Sequence, residues 1–168
     1  MTFLSTTIRA THLVTNAAWF GGSLMGAVGL NPAARQAGAD TIEVAGTGWE
    51  RWGPVQGAAI GAHLLTGVGI VVDNRRRVLL HPPTTAAVAA KTALTGVALG
   101  STAWAWQAGK RLGDTAPTDR AQQPRQRTQL AWLQWVTPAA TGALLVLDAY
   151  LGEQQRGAAG QLDNPVRS

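Results

Sequence analysis

Five polar side chains stand inside stretches of sequence that are otherwise apolar: His12, Asn16, His63, Lys91 and Asp148. Imidazoles, an amine and a carboxylate can exchange protons when they lie within hydrogen-bonding distance, and imidazoles can also bind haem iron or copper. A polar group in apolar surroundings costs free energy unless it has a partner. We therefore predict that these side chains form one polar cluster, which is either functional or only a structural tie between helices.

Composition limits the cofactor chemistry of this cluster. The chain has no cysteine and only two methionines, which excludes thiolate metal sites, redox-active CxxC motifs and disulfides. It has no HxxxH or HExxH spacing, no Ser-His-Asp motif, no glycine-rich phosphate loop and no acidic pair for acid and base catalysis. The sequence thus predicts no catalytic residue, no metal site and no bound cofactor. Ligation of haem b or copper by His12 and His63 stays an alternative, as does an enzyme that acts on a lipid.

The elements that carry the cluster are four long stretches without charge, apart from Lys91, at residues 10–34, 52–72, 78–109 and 128–147. A hydrocarbon slab about 30 Å thick is crossed by about 20 helical residues. Charged residues make up only 14% of the chain, against about 25% in soluble proteins. We predict an all-α, integral membrane domain at residues 1–151, a bundle of four transmembrane helices followed by a mobile polar tail at 152–168. The expected spans are about 8–30, 54–73, 84–109 and 129–151.

Proline and tryptophan residues set the expected ends of the first two helices. The first helix should stop at Asn31–Pro32, because the residue before a proline is pushed out of helical geometry. The second should begin at Pro54, after a loop in which Trp49 and Trp52 lie at the membrane interface. Four spans bring both termini and the link at residues 75–77 to one side of the membrane, side A. The two longer loops and most of the tryptophans then lie on the other side, side B.

Charge and composition predict the location of the protein. Arginines outnumber lysines twelve to two, which is typical of a GC-rich bacterial genome, and we predict a bacterial inner-membrane protein. Outside the spans, side A has six Lys and Arg residues and side B has seven, so the positive-inside rule does not decide the orientation. The short link of three arginines at 75–77 favours side A, with both termini, in the cytoplasm. We interpret the net charge of +5 as membrane-flanking charge and expect no nucleic-acid partner.

Glycines four residues apart recur in the first three spans, as the pairs Gly22 and Gly26, Gly57 and Gly61, and Gly96 and Gly100. Such pairs line one face of a helix and let helix backbones approach closely in lipid. They predict packing of the helices on each other, with a homo-oligomer or a larger membrane complex as the alternative use of such a face. Pro138 should kink the fourth helix because it removes a backbone donor.

The rise of about 1.5 Å per helical residue gives the expected depth of each polar group. Counted from the predicted span ends, His12 lies roughly 5 Å below side A, Lys91 roughly 12 Å below it, and His63 near the midplane. The two histidines then differ in depth by about 10 Å, which argues against shared haem ligation. We expect Lys91 to pair with Asp148 or to reach the surface along its own stem.

The segment His12-Leu-Val-Thr-Asn-Ala-Ala-Trp19-Phe-Gly21-Gly22 begins with histidine and reaches Trp-x-Gly-Gly seven residues later. It resembles the opening helix of the copper-resistance protein D superfamily and its four-helix bacterial relatives. The resemblance implies a compact helical bundle whose histidines face a metal or a haem. Because this chain lacks methionine-rich segments and obvious paired histidines, only the architecture is carried over, on His12, Trp19, Gly21 and Gly22.

Three functions are consistent with these patterns. The favoured one is a small polytopic membrane protein, an accessory or scaffold subunit that acts through helix–helix contacts without chemistry of its own. The first alternative is a transporter or permeation component, in which His63, Lys91, Asp148 and the Pro138 kink line a path for a proton or a small solute. The second is a haem- or metal-binding membrane protein. The lipid bilayer is the partner common to all three.

Overall fold

The computed structural model describes residues 3–38, 41–80, 82–114 and 124–162, and this part of the chain is helical with no strand. Helix α1 (Phe3–Met25) continues through a π-helical segment (Gly26–Leu30) into α2 (Asn31–Gln36). The later helices are α3 (Thr41–Asp73), the short α4 (Arg75–Leu80), α5 (Pro82–Asp114) and α6 (Pro124–Leu162). The prediction of an all-α fold is confirmed.

Three helical segments are long and apolar enough to cross a membrane, and they are Phe3–Gln36, Thr41–Asp73 and Thr128–Gly152. They contain three of the four predicted spans. Helix α5 does not reach the same hydropathy because alanine, glycine and threonine dominate it and contribute little. Large apolar side chains such as Leu65 and Val146 are 77% and 70% exposed. The outer surface of these helices is therefore apolar, as lipid contact requires.

Helix α1 lies at the centre of the packing, where it contacts both α3 and α6. Helix α6 also packs along α5, whereas α3 and α5 contact each other little. The buried core is built on Trp19 of α1, Ala98 of α5 and Ala140 of α6. Trp19 is fully buried, and the two alanines give its indole room between the helices. This arrangement places α1 where it can join side chains from all three other long helices.

The prediction that the first helix stops at Asn31–Pro32 is wrong. The chain widens into the π-helical segment just before the proline, and the Asn31 N–H donates to the Gly26 carbonyl, five residues back. A proline inside a regular helix clashes with the carbonyl four residues earlier and leaves it without a donor. In a π-helical turn the hydrogen bonds join residues five apart, and the wider turn accommodates the proline ring. The helical path therefore continues to Gln36.

The other predicted helix ends also fall short of the observed ones. Helix α3 begins at Thr41 and has Pro54 in its interior, where the sequence predicted a loop and a first turn. Helices α5 and α6 run from Pro82 to Asp114 and from Pro124 to Leu162, past the predicted limits at 84–109 and 129–151. A helix of 33 residues is about 50 Å long, well beyond a slab of about 30 Å. The uncharged stretch indicates which part of a helix suits lipid, but each helix continues beyond that stretch. The last six residues of the predicted tail, 163–168, lie outside the described residues.

Two of the tryptophans expected at the membrane interface pack on the first helix. A Cβ atom built on Gly22 would overlap the Trp52 indole, and one built on Gly26 would overlap the Trp49 indole. Both indoles are half-buried. The two glycines thus hold α1 close to α3 through aromatic side chains. The tryptophans exposed at the side B end are Trp104, Trp106, Trp132 and Trp135.

Candidate functional site

Each of the four long helices in the described chain contributes one ionisable side chain to a single cluster: His12, His63, Lys91 and Asp148, called the polar cluster below. His12 lies nine residues from the side A end of α1, His63 ten from that of α3, and Lys91 nine from that of α5. The helical rise converts these counts to about 14–15 Å. The predicted depth difference of about 10 Å between the histidines is therefore wrong, because it was counted from span ends that are not the helix ends.

The two imidazoles are held by a reciprocal pair of hydrogen bonds. His12 Nδ1 lies 3.0 Å from the His63 carbonyl oxygen, and His63 Nδ1 lies 3.3 Å from the His12 carbonyl oxygen. A carbonyl only accepts, so both Nδ1 atoms carry the proton and donate. The rings stack with centroids 4.0 Å apart and planes 14° from parallel, and both are buried. In the neutral form each Nε2 is left as an acceptor.

Thr66 extends this arrangement by one turn of α3. Its hydroxyl oxygen lies 3.2 Å from His12 Nδ1 and donates to the Ala62 carbonyl at 2.6 Å, so it accepts from the imidazole. Gly67 lies beside the ring, where a Cβ would approach His12 Cε1 to 3.2 Å. Thr66 was not predicted as part of the cluster, although its position three residues after His63 puts both on one helix face.

The Lys91 ammonium links the Asp148 carboxylate to the His12 imidazole. Its ammonium forms an ion pair with Asp148 Oδ1 and lies 3.5 Å from His12 Nε2, the acceptor nitrogen. The second carboxylate oxygen, Asp148 Oδ2, is buried and has no hydrogen-bond partner in the described part of the chain. The two side chains are 18% and 10% exposed. A hydrogen-bonded chain therefore runs from Asp148 through Lys91 and His12 to Thr66.

Asn16 lies one turn deeper than His12 and is separate from the ionisable groups. It is fully buried, and its Nδ2 donates to the Thr141 carbonyl of α6 at 3.4 Å. Its Oδ1 has no partner within the described residues. The Thr141 hydroxyl donates to the Thr137 carbonyl at 2.8 Å, and the Thr137 and Ser101 hydroxyls share a hydrogen bond of 2.8 Å. Asn16 thus belongs to a layer of polar contacts between α1, α5 and α6.

The arrangement of the histidines bears on the alternative that they share a haem or a copper ion, which stays a prediction. The described residues contain no group of three or more His, Asp or Glu side chains that could hold a metal ion. The two rings stack with centroids 4.0 Å apart, which leaves no room for a macrocycle between them. His12 Nε2 faces the Lys91 ammonium at 3.5 Å, and a positive charge there disfavours a metal cation.

The remaining residues singled out from the sequence lie outside the polar cluster. Among the described residues, a Cβ atom would meet nothing within 4 Å at four of the six glycines expected to pack, namely Gly57, Gly61, Gly96 and Gly100. Of these six glycines, Gly22 and Gly26 lie against side chains of another helix, and a packing role for the other four stays a prediction. Pro138 is buried within α6, which continues through it as one helix.

No protein-family model, curated protein or solved structure matches this chain. The resemblance of residues 12–22 to the copper-resistance protein D superfamily therefore stays a prediction. The function has to be inferred from the geometry of the polar cluster.

Proposed function

We propose that the protein is an integral membrane bundle of four transmembrane helices that transfers protons through the polar cluster. The three apolar helical segments support the membrane location. Helix α5 has 33 residues and packs along α6, so it is long enough to cross beside the others. The compartment proposed is the bacterial inner membrane with side A in the cytoplasm. A tag-accessibility assay at each terminus tests this orientation, and a tag reached only from outside would reverse it.

The observation that carries the proposal is the hydrogen-bonded chain from Asp148 to Thr66. Ionisable groups are rare within membrane helices, and those present are commonly part of ion or proton pathways. A purely structural tie between α5 and α6 would need only the ion pair of Lys91 with Asp148. Here the ammonium also faces the acceptor nitrogen of His12 at 3.5 Å. The cluster therefore joins a proton donor to a proton acceptor.

The transfer step follows from the donor and acceptor assignments. An N–H bond of the Lys91 ammonium breaks, its electron pair stays on Nζ, and the proton bonds to His12 Nε2. A neutral amine and an imidazolium then lie beside the Asp148 carboxylate, so the net charge of the cluster is unchanged. The His12 Nδ1 proton faces Thr66 Oγ1 at 3.2 Å, which makes this hydroxyl the next group along the path. Lys91, which is 18% exposed, is the point of entry from side A.

Proton flux into liposomes tests the proposal. The purified protein is reconstituted with a pH-sensitive dye inside the vesicles, and a potassium diffusion potential drives protons inward. The Lys91→Met variant should reduce flux by about 10²-fold or to the rate of empty vesicles, because positioned proton carriers contribute factors of this order. The matched control is Thr92→Ala, the next residue on α5, whose exposed hydroxyl donates to the Val88 carbonyl of the same helix. Flux that survives in the His63→Ala, Lys91→Ala double variant would refute proton transfer by this cluster.

A second candidate function is that of an accessory subunit in a membrane complex. It is supported by the glycines of α3 and α5 that have open space around them, at positions that suit close approach of another helix. Affinity purification in mild detergent, followed by mass measurement of the intact complex, tests this function. A defined stoichiometric partner supports it, and recovery of a stable lone monomer contradicts it.

A further inference from the structure

An apolar groove lies at the side A end of the bundle, between α4 and the start of α5. It has a volume of about 450 Å³ and is lined by Leu79, Leu80, Pro82, Thr85, Ala86 and Ala89. Leu79 and Leu80 are 79% and 81% exposed, although leucine is normally buried. All the lining side chains except Thr85 are apolar. The groove therefore suits a hydrocarbon chain.

Hydrogen bonds fix α4 in the position that forms the groove. The Thr85 hydroxyl of α5 donates to the Val78 carbonyl of α4. The Val78 N–H donates to the Asn74 carbonyl at 3.0 Å, and the Asn74 side chain donates to the Ile70 carbonyl at 2.8 Å. The short helix is thus tied to both neighbouring long helices.

Positive charge lies at the other end of the same short helix. Residues 75–77 are three consecutive arginines, and α4 ends at Leu80. A helix of six residues is about 9 Å long, so its charged start and the apolar groove are within reach of one phospholipid molecule. Arg75 is exposed. Clusters of arginine beside a membrane span attract anionic lipid headgroups.

We propose that this groove binds an anionic phospholipid, with its phosphate at the start of α4 beside Arg75 and one acyl chain along Leu79, Leu80, Ala86 and Ala89. Charge complementarity selects the headgroup, and the apolar lining selects the chain. The inference depends on the proposed membrane location and is independent of proton transfer. It differs from general attraction to a charged surface because binding is saturable and needs the groove.

Native mass spectrometry of the full-length protein in mild detergent, titrated with phosphatidylglycerol or phosphatidylcholine, tests the proposal. The unmodified protein should bind one phosphatidylglycerol at least about tenfold more tightly than phosphatidylcholine, and increasing salt should reduce the preference. Replacing residues 75–77 by glutamine should abolish it. The matched control replaces Arg35, Lys110 and Arg111 by glutamine, which removes three charges from the side B end and should leave the preference unchanged.

A second variant distinguishes the contribution of the groove to lipid binding from that of the charge. Ala86→Phe with Ala89→Phe fills the groove at two exposed positions and leaves the net charge intact. Weaker binding of phosphatidylglycerol by this variant supports a seated acyl chain, whereas unchanged binding overturns the proposal in favour of surface attraction alone. Equal competition by glycerol 3-phosphate, which has no acyl chain, would also overturn it. The Lys91→Met variant should bind the lipid normally, so failure of the proposed proton transfer would not be mistaken for failure at the groove.

Discussion

Replacement of Lys91 by methionine should destabilise the bundle because it removes the only described partner of the partly buried Asp148 carboxylate. Asp148 is 10% exposed and pairs through Oδ1 with the Lys91 ammonium, while its Oδ2 has no partner in the described chain. Removing one member of a buried ion pair costs about 3–5 kcal/mol. The lysine side chain is 18% exposed, so we expect the lower end, about 3 kcal/mol. For a chain of this size that loss lowers the melting temperature by about 6–12 °C.

A double-mutant cycle turns this expectation into a test of the ion pair. Asp148→Asn alone should also destabilise the protein, because it leaves the ammonium without a carboxylate. In the combined variant neither charge remains, so its loss should be smaller than the sum of the two single losses by about 2 kcal/mol. Thermal unfolding in detergent, followed by tryptophan fluorescence, measures all four proteins, with Thr92→Ala as the control. Strict additivity would refute the reasoning, since two groups that stabilise each other cannot be lost independently.

Substitutions at Gly26, Gly57 and Asn31 test the packing of the helices by the same unfolding assay. Gly26→Ala should cost about 1–3 kcal/mol because its methyl group overlaps the Trp49 indole. Gly57→Ala, at a position with nothing within 4 Å in the described chain, should be neutral or stabilising by up to about 1 kcal/mol, and a loss equal to that of Gly26→Ala would contradict this account. Asn31→Ala should cost about 1–2 kcal/mol, because it removes bonds of 3.1 Å from Trp49 Nε1 and to Gln134 Oε1. Asn31→Asp keeps the acceptor for the indole and should retain part of the stability, and a loss as large as that of Asn31→Ala would contradict this.

The helical fold could be predicted from the sequence, because an uncharged stretch of about 20 residues has the length and composition of a helix that crosses a bilayer. The ends of the helices were harder to predict. Pro32 and Pro54 are strong local signals for a helix boundary, yet Pro32 follows a π-helical segment and Pro54 lies inside α3. Neither outcome follows from the local preference of proline alone.

Within the site, the ion pair of Lys91 with Asp148 could be predicted because the two side chains have opposite charges. The contact of His12 with His63 was missed because their depths were counted from the wrong starting points. Their mutual carbonyl bonds could not be predicted, since they depend on the rotation of α1 relative to α3, which hydropathy does not specify. The same rotation determines that Gly22 and Gly26 face tryptophans while Gly57 and Gly61 face open space.

The separation of Lys91 from Asp148 along the chain has a consequence for biosynthesis. The two residues are 57 positions apart, and a ribosome adding about 5–20 residues per second needs on the order of 3–10 s to cover that interval. During this time α5 can already have left the ribosome while the carboxylate that neutralises its lysine has not been made. For the proposed four-span bundle, we expect α5 either to await α6 during insertion or to hold its ammonium in the headgroup layer until α6 is made. In the proposed membrane bundle, α5 therefore depends on the later synthesis of α6 for the partner of its lysine.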